Sequence, residues 1–147
     1  MGPLVATRQR STPPWPGIGM SRYLVDTTVL INLSKRREPV RSRLRGMLDS
    51  GDELGVCAIN VTEFYAGLPA EAWSTWESFF ATLRYWEISR PAALDAARMR
   101  REFARRGQPL STADTLIAAV AREWHAVILT DNTKDFPTPD VQVMPLR

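Results

Sequence analysis

The stretch Tyr23-Leu24-Val25-Asp26-Thr27-Thr28-Val29-Leu30-Ile31-Asn32 constrains this chain more than any other. The apolar run Tyr23 to Val25 reads as a buried strand. It stops at a single carboxylate, Asp26, and apolar residues resume at Val29, Leu30 and Leu33 with helical spacing. A strand therefore hands over to a helix at Asp26. In parallel α/β sheets that edge is where chemistry is placed, because the ends of strands and the starts of helices converge there.

The same alternation continues down the chain. Pro39 fits the first turn of a second helix that runs to about Ser50 and stops at Gly51. Leu54 to Ala58 reads as a second strand. Asn60 to Gly67 reads as a short helix, with Asn60 as its cap, Glu63 at its third position, and Ile59 and Phe64 as a hydrophobic staple. Ala70 to Leu83 is helical, Tyr85 to Ile88 a third strand, and Pro91 to Arg106 a long helix ending at Gly107. Ser111 to Trp124 is a helix opened by the capping box Ser111-x-x-Asp114. Val127 to Thr130 is a fourth strand and Val141 to Met144 a fifth. Strands alternating with helices predict a three-layer α/β/α sandwich around a central, mostly parallel sheet.

At 147 residues the chain suits one domain with a real core, expected over residues 20–147. Residues 1–19 are rich in Pro, Gly, Ser and Thr without a period, which fits a disordered tail or a start-site artefact with Met20 as the true start. No apolar run approaches the roughly 18 residues of a membrane span. The single cysteine, Cys57, excludes an internal disulfide and reads as a core thiol; a reducing cytoplasm fits. The net charge of +3 draws on Arg8 and Arg10, so residues 20–147 are nearly neutral and bulk charge argues little for nucleic acid.

Three acids share one context. Asp26 follows the first strand, and Glu63 and Asp114 are expected in the first turns of helices. A fourth region, Thr130-Asp131-Asn132-Thr133-Lys134-Asp135-Phe136, follows the fourth strand. In a parallel sheet these acids can meet at one edge. Taken singly, each fits an ordinary structural role: Asp26 as an N-cap, Glu63 and Asp114 as capping-box partners favoured by the helix dipole. Asp114, however, falls at the edge of the apolar stripe Ala113, Ile117, Val120, Ala121 and Trp124, and a partly inward carboxylate needs a partner. A cation shared by several acids supplies one. With one His and one Cys, a zinc site built from those residues is nearly excluded. Hard oxygen ligands suit Mg²⁺ or Mn²⁺, ions that hold phosphate oxygens and activate water. His125 fits a helix-end or space-filling role. No G-x-S-x-G elbow, Walker motif or G-x-G-x-x-G is present, Asp26 has no adjacent acid, and position 28 is Thr where a D-x-D motif needs Asp.

Val25-Asp26-Thr27-Thr28-Val29-Leu30-Ile31 resembles the opening motif of PIN-domain ribonucleases, specifically VapC-type toxins of type II toxin–antitoxin systems. Thr62-Glu63-Phe64 before Ala66-Gly67 looks like the second motif, Ser111 to Ala119 like the third, and Leu129 to Phe136 like the fourth. All four occur in order across residues 22–136. The resemblance implies a Mg²⁺-dependent endoribonuclease, with an RNA substrate and a cognate antitoxin as partners; a homodimer is also expected. It implies metal binding by Asp26 and Asp114, with Glu63 and Asp135 completing the shell and orienting water. Asn132 stands where many members carry Asp, and Asp131 is a further candidate; Asp135, the acid before Phe136, is the favoured fourth position. A housekeeping PIN nuclease without an antitoxin, and a catalytically silent RNA- or protein-binding module, share the same motifs.

Two further features bear on partners. Lys35, Arg36, Arg37, Arg41, Arg43 and Arg45 crowd one segment, and Arg98, Arg101 and Arg105 lie opposite the apolar face Ala92, Ala96, Met99 and Phe103. These are either solvated faces or phosphate contacts flanking the acids. Trp73, Trp76, Phe79 and Phe80 sit at helical spacing and are expected mostly in the core, with some available to a partner.

Overall fold

The computed structural model describes residues 21–146, so the expected tail over 1–19 and the start at Met20 lie outside the described residues. The elements are β1 (Arg22–Val25), α1 (Thr27–Ser34), α2 (Val40–Asp49), β2 (Glu53–Val56), α3 (Ala58–Ala66), a 3₁₀ turn (Ala70–Ala72) leading into α4 (Trp73–Phe80), β3 (Arg84–Tyr85), α5 (Arg90–Arg105), α6 (Thr112–Trp124), β4 (Val127–Leu129), a 3₁₀ turn (Thr133–Asp135) and β5 (Val143–Met144). The strands form one sheet in the order β3-β2-β1-β4-β5, and every pairing is parallel. The predicted α/β/α sandwich is therefore present.

Side chains of successive strand residues point to opposite faces, and the two faces carry different cores. Tyr23, Val25, Leu54, Val56 and Leu129 meet Val29, Leu30, Leu44 and Phe64 from α1, α2 and α3. Leu24 and Ile128 meet Ala92, Ala96 and Met99 of α5 and Ile117 to Ala121 of α6. The second layer is built of small residues, so its helices lie close; Trp86 fills the remaining space, stacked on Trp124 at 5.5 Å between ring centroids. Gly55 makes room for it, since a Cβ there would stand 2.6 Å from the Trp86 ring.

The helix stops at Gly51 and Gly107 appear as expected, each with positive φ (87° and 76°). Ser111 caps α6 by accepting the Asp114 N–H at 3.0 Å. Other expectations need correction. Helix α3 starts three residues earlier than its polar cap suggested: Cys57 is the N-cap, and Asn60, at the third helical position, accepts the Cys57 N–H at 3.0 Å. Ile59 and Phe64 then face different cores, so they form no staple. Strand β3 has only two residues, although the Trp86 N–H still reaches the Val56 carbonyl at 2.8 Å while its ring enters the core, and Ser89 caps α5. Helix α4 is amphipathic rather than buried: Trp76, Phe79 and Phe80 pack partly against the core, while Trp73 is 44% exposed. Among the described residues no helix is long and apolar enough to cross a membrane.

Candidate functional site

The site begins with the register of β1 and β4. Val25 pairs with Leu129, and the Asp26 N–H continues the ladder onto the Leu129 carbonyl at 2.9 Å. The next residues, Asp26 and Thr130, therefore emerge side by side at the carboxyl end of the sheet. The Thr130 hydroxyl donates to Asp26 Oδ2 at 2.8 Å, and the Thr28 hydroxyl reaches the same oxygen at 3.3 Å. Asp26 occupies the N-cap position of α1, but its side chain makes no cap hydrogen bond. The simple capping role does not account for it: the carboxylate is turned into a buried pocket of hydroxyls, 7% exposed.

Glu63 is also relieved of a capping role. With α3 starting at Ala58, Glu63 lies in the second turn, exposed, and its Oε1 accepts the Thr27 hydroxyl at 2.6 Å. That bond ties α3 to α1 directly beside Asp26. Asp114 lies in the first turn of α6, half-buried, over the same edge.

The electrostatics show which acids share the space. Burial raises the Asp26 carboxyl above the ordinary Asp value; hydrogen bonds from Thr130, the Thr27 backbone and Thr28 oppose the rise, and the charge of Glu63 adds to it. Burial likewise raises Asp114; a hydrogen bond with Ser111 opposes this, and Asp135, Asp26 and Glu63, in that order, push further upward. Asp26, Glu63 and Asp135 are thus all within electrostatic reach of Asp114, with Asp135 weighing most on it. Cys57 is a buried thiol, as expected, raised by burial and by Glu63 and Asp26 close by.

The other fourth-position candidates lie in the same loop. The Asp131 carboxylate accepts the Asn32 side-chain N–H, and Asn132 is exposed, its backbone N–H donating to Thr130 Oγ1 at 3.0 Å. Arg98, Arg101 and Arg105 stand exposed on the outer face of α5, as predicted, and among the described residues none of them is ion-paired.

The donor set is all oxygen, without imidazole, which fits a hard divalent ion. Among the described residues no three Asp, Glu, His or Cys side chains are arranged to grip one ion together.

Sequence reasoning missed the hydroxyl shell of Thr27, Thr28 and Thr130 and the Asn32 contact. A signal was present: two threonines follow Asp26, and a third follows the strand that pairs with β1.

A sequence model of the PIN domain matches residues 23–140. The chain is 27% identical over 122 residues to the tRNA(fMet)-specific endonuclease VapC of Shigella flexneri, covering 80% of this chain and 91% of that protein. Its fold is similar to that of VapBC2 from Rickettsia felis, solved bound to a DNA fragment from its promoter, with a TM-score of 0.76 at 20% identity over 86% of this chain and 99% of the other. A toxin–antitoxin complex from Klebsiella pneumoniae holds a chain 25% identical, with a TM-score of 0.66 over 81% of this chain and 94% of that one.

Proposed function

This chain belongs to the PIN-domain family, and from that premise we propose that it is a divalent-metal-dependent endoribonuclease, the toxin of a toxin–antitoxin pair. The observation that carries the reading is the meeting of Asp26, Glu63, Asp114 and Asp135 at one sheet edge, where the charges bearing on Asp114 are all carboxylates. Asp26 and Asp114 are both raised above the ordinary Asp value, and the charges bearing on them are carboxylates; such a group is poised to receive a cation from outside.

Asp26 and Asp114 would hold Mg²⁺ or Mn²⁺. Such an ion supplies charge neutralisation at a phosphodiester and activation of water. The protein's own share is positioning. Thr130 and Thr28 donate to Asp26 and fix its carboxylate plane. Thr27 holds Glu63, which with Asp135 orients water for attack on phosphorus. The arginines of α5 contact backbone phosphates. The Shigella flexneri relative, an endonuclease specific for a tRNA, supports RNA as the substrate. The complex from Klebsiella pneumoniae supports a protein antitoxin as partner.

The test is cleavage of RNA by the purified full chain with Mg²⁺ or Mn²⁺ and with EDTA, followed by sequencing of the new ends. Cleavage that needs the ion and stops in EDTA is expected; undiminished cleavage in EDTA overturns the metal mechanism. Co-expression with the product of the adjacent gene should relieve toxicity. A neighbouring product that neither binds nor protects removes the toxin role and leaves the nuclease.

A further inference from the structure

One motif residue is not absorbed by the acid cluster. Asn32 lies on α1, four residues after Thr28, so the two share one face of the helix. Both reach the same residue of the loop after β4. The Thr28 hydroxyl accepts the Asp131 N–H at 3.3 Å, and the Asn32 amide donates to Asp131 Oδ2. Behind Asn32, the Arg37 guanidinium donates to Asn32 Oδ1 at 2.8 Å. Arginine only donates and a carboxylate only accepts, so this pair of neighbours fixes the amide in one orientation. The loop is held at a third point by the Asn132 N–H on Thr130. Immediately beyond, the 3₁₀ turn Thr133–Asp135 delivers Asp135 to Asp114.

We infer that Asn32, braced by Arg37, is a positioning residue: it clamps the Asp131 side chain to α1 and so sets where Asp135 stands. Asp131 is then an anchor and not a member of the catalytic set. The inference rests on the nuclease reading for its activity test but not for its structural one.

The chemistry permits an exchange test. Asn32→Asp sets one carboxylate against another and should push the loop off. Asp131→Asn keeps an acceptor for the Asn32 amide and should be tolerated. The double variant Asn32→Asp/Asp131→Asn restores the pair with its polarity reversed, because the new Asp accepts both from Arg37 and from the new Asn. In cleavage of a fluorogenic single-stranded RNA oligonucleotide with Mn²⁺, Asn32→Asp should lose roughly tenfold or more, chiefly in kcat, as expected when a reacting group is misplaced by a fraction of an ångström. Asp131→Asn should stay near wild type, and the double variant should recover most of the loss. Amide exchange across residues 131–135, read without metal or substrate, should follow the same pattern. An Asn32→Asp variant equal to wild type, or a double variant no better than Asn32→Asp in both readouts, overturns the clamp. If the wild-type chain does not cleave RNA, the nuclease reading fails, and the exchange pattern alone decides the clamp.

Discussion

The two ends of the same sheet handle acidic residues in opposite ways. At the amino end, Glu53 opens β2 and is met by cations: Arg22 Nε at 3.1 Å and Arg84 Nη2 at 3.3 Å. Its neighbour Asp52, buried at 5% exposure, takes the Ser21 N–H at 3.3 Å. At the carboxyl end, Asp26, Glu63 and Asp114 are met by hydroxyls and by one another. Glu53 is thus compensated by cations within the chain, whereas Asp52 keeps one carboxylate oxygen, Oδ2, buried without a hydrogen-bond partner. At the carboxyl end, among the described residues, no cation is paired with Asp26 or Asp114, and burial raises both carboxyls. Asp26 and Asp52 are about equally buried, so burial by itself does not mark a site; what sets the two ends apart is that Glu53 meets two arginines while the charges bearing on Asp114 are carboxylates.

The largest expected effect breaks this contrast at the level of activity. Asp26→Asn and Asp114→Asn should each abolish RNA cleavage, by about a hundredfold or more, since each removes a charge needed to hold a divalent ion. Asn still offers an oxygen to Thr130 or a cap, so the folded protein should persist. Glu53→Gln at the other end should cleave like wild type and lose at most about 1 kcal/mol of stability, the usual worth of a partly exposed ion pair. Cleavage assays and melting curves on the three variants check this. Wild-type activity in a folded Asp114→Asn protein would return that residue to a capping role.

A smaller effect sharpens the contrast without substrate. Mg²⁺ or Mn²⁺ at about a hundred times its dissociation constant should stabilise the wild-type chain by about 2.7 kcal/mol, a rise of a few degrees in Tm. The rise should disappear in Asp26→Asn and remain in Glu53→Gln. A metal-induced shift that survives Asp26→Asn would place the ion elsewhere.

Much of this arrangement was legible in the residues, and the reasons are local. Tyr23-Leu24-Val25 followed by Asp26 marks a strand end with little competition from other readings, and Ser111 before Asp114 is a cap whose geometry follows from its spacing. Glycines at 51 and 107 stop helices because the chain there needs positive φ. What stayed hidden depended on register. Thr130 meets Asp26 only because Val25 pairs with Leu129, a partnership between strands about a hundred residues apart. The start of α3 was misplaced because Asn60 has the chemistry of an N-cap, yet its side chain accepts the Cys57 N–H from inside the helix. That shift carried Glu63 from a first turn to a second and removed its capping-box role. Asn32 gave no signal, since an asparagine on a helix face acquires meaning only from what the fold sets opposite it.

The smallest effect concerns protons. Burial raises both Asp26 and Asp114 above the ordinary Asp value near 3.8. A carboxyl with a higher folded than unfolded pKa binds protons more tightly in the native state. Its contribution to stability is therefore greatest below the unfolded value and falls as pH rises through the folded one. Above both folded values the penalty is constant and present in full. Other acids titrate in the same range, so the quantity to measure is the difference between the wild-type chain and the double variant Asp26→Asn/Asp114→Asn, both in EDTA. That difference should move in favour of the double variant as pH rises from about 4 toward neutrality, and Mg²⁺ should reverse the trend in the wild type alone. A difference independent of pH would show that the four carboxylates do not oppose one another in the metal-free protein. A difference moving toward the wild type would make the hydroxyls of Thr28 and Thr130 a full counterweight to burial, and the two ends of the sheet would then handle their acids alike.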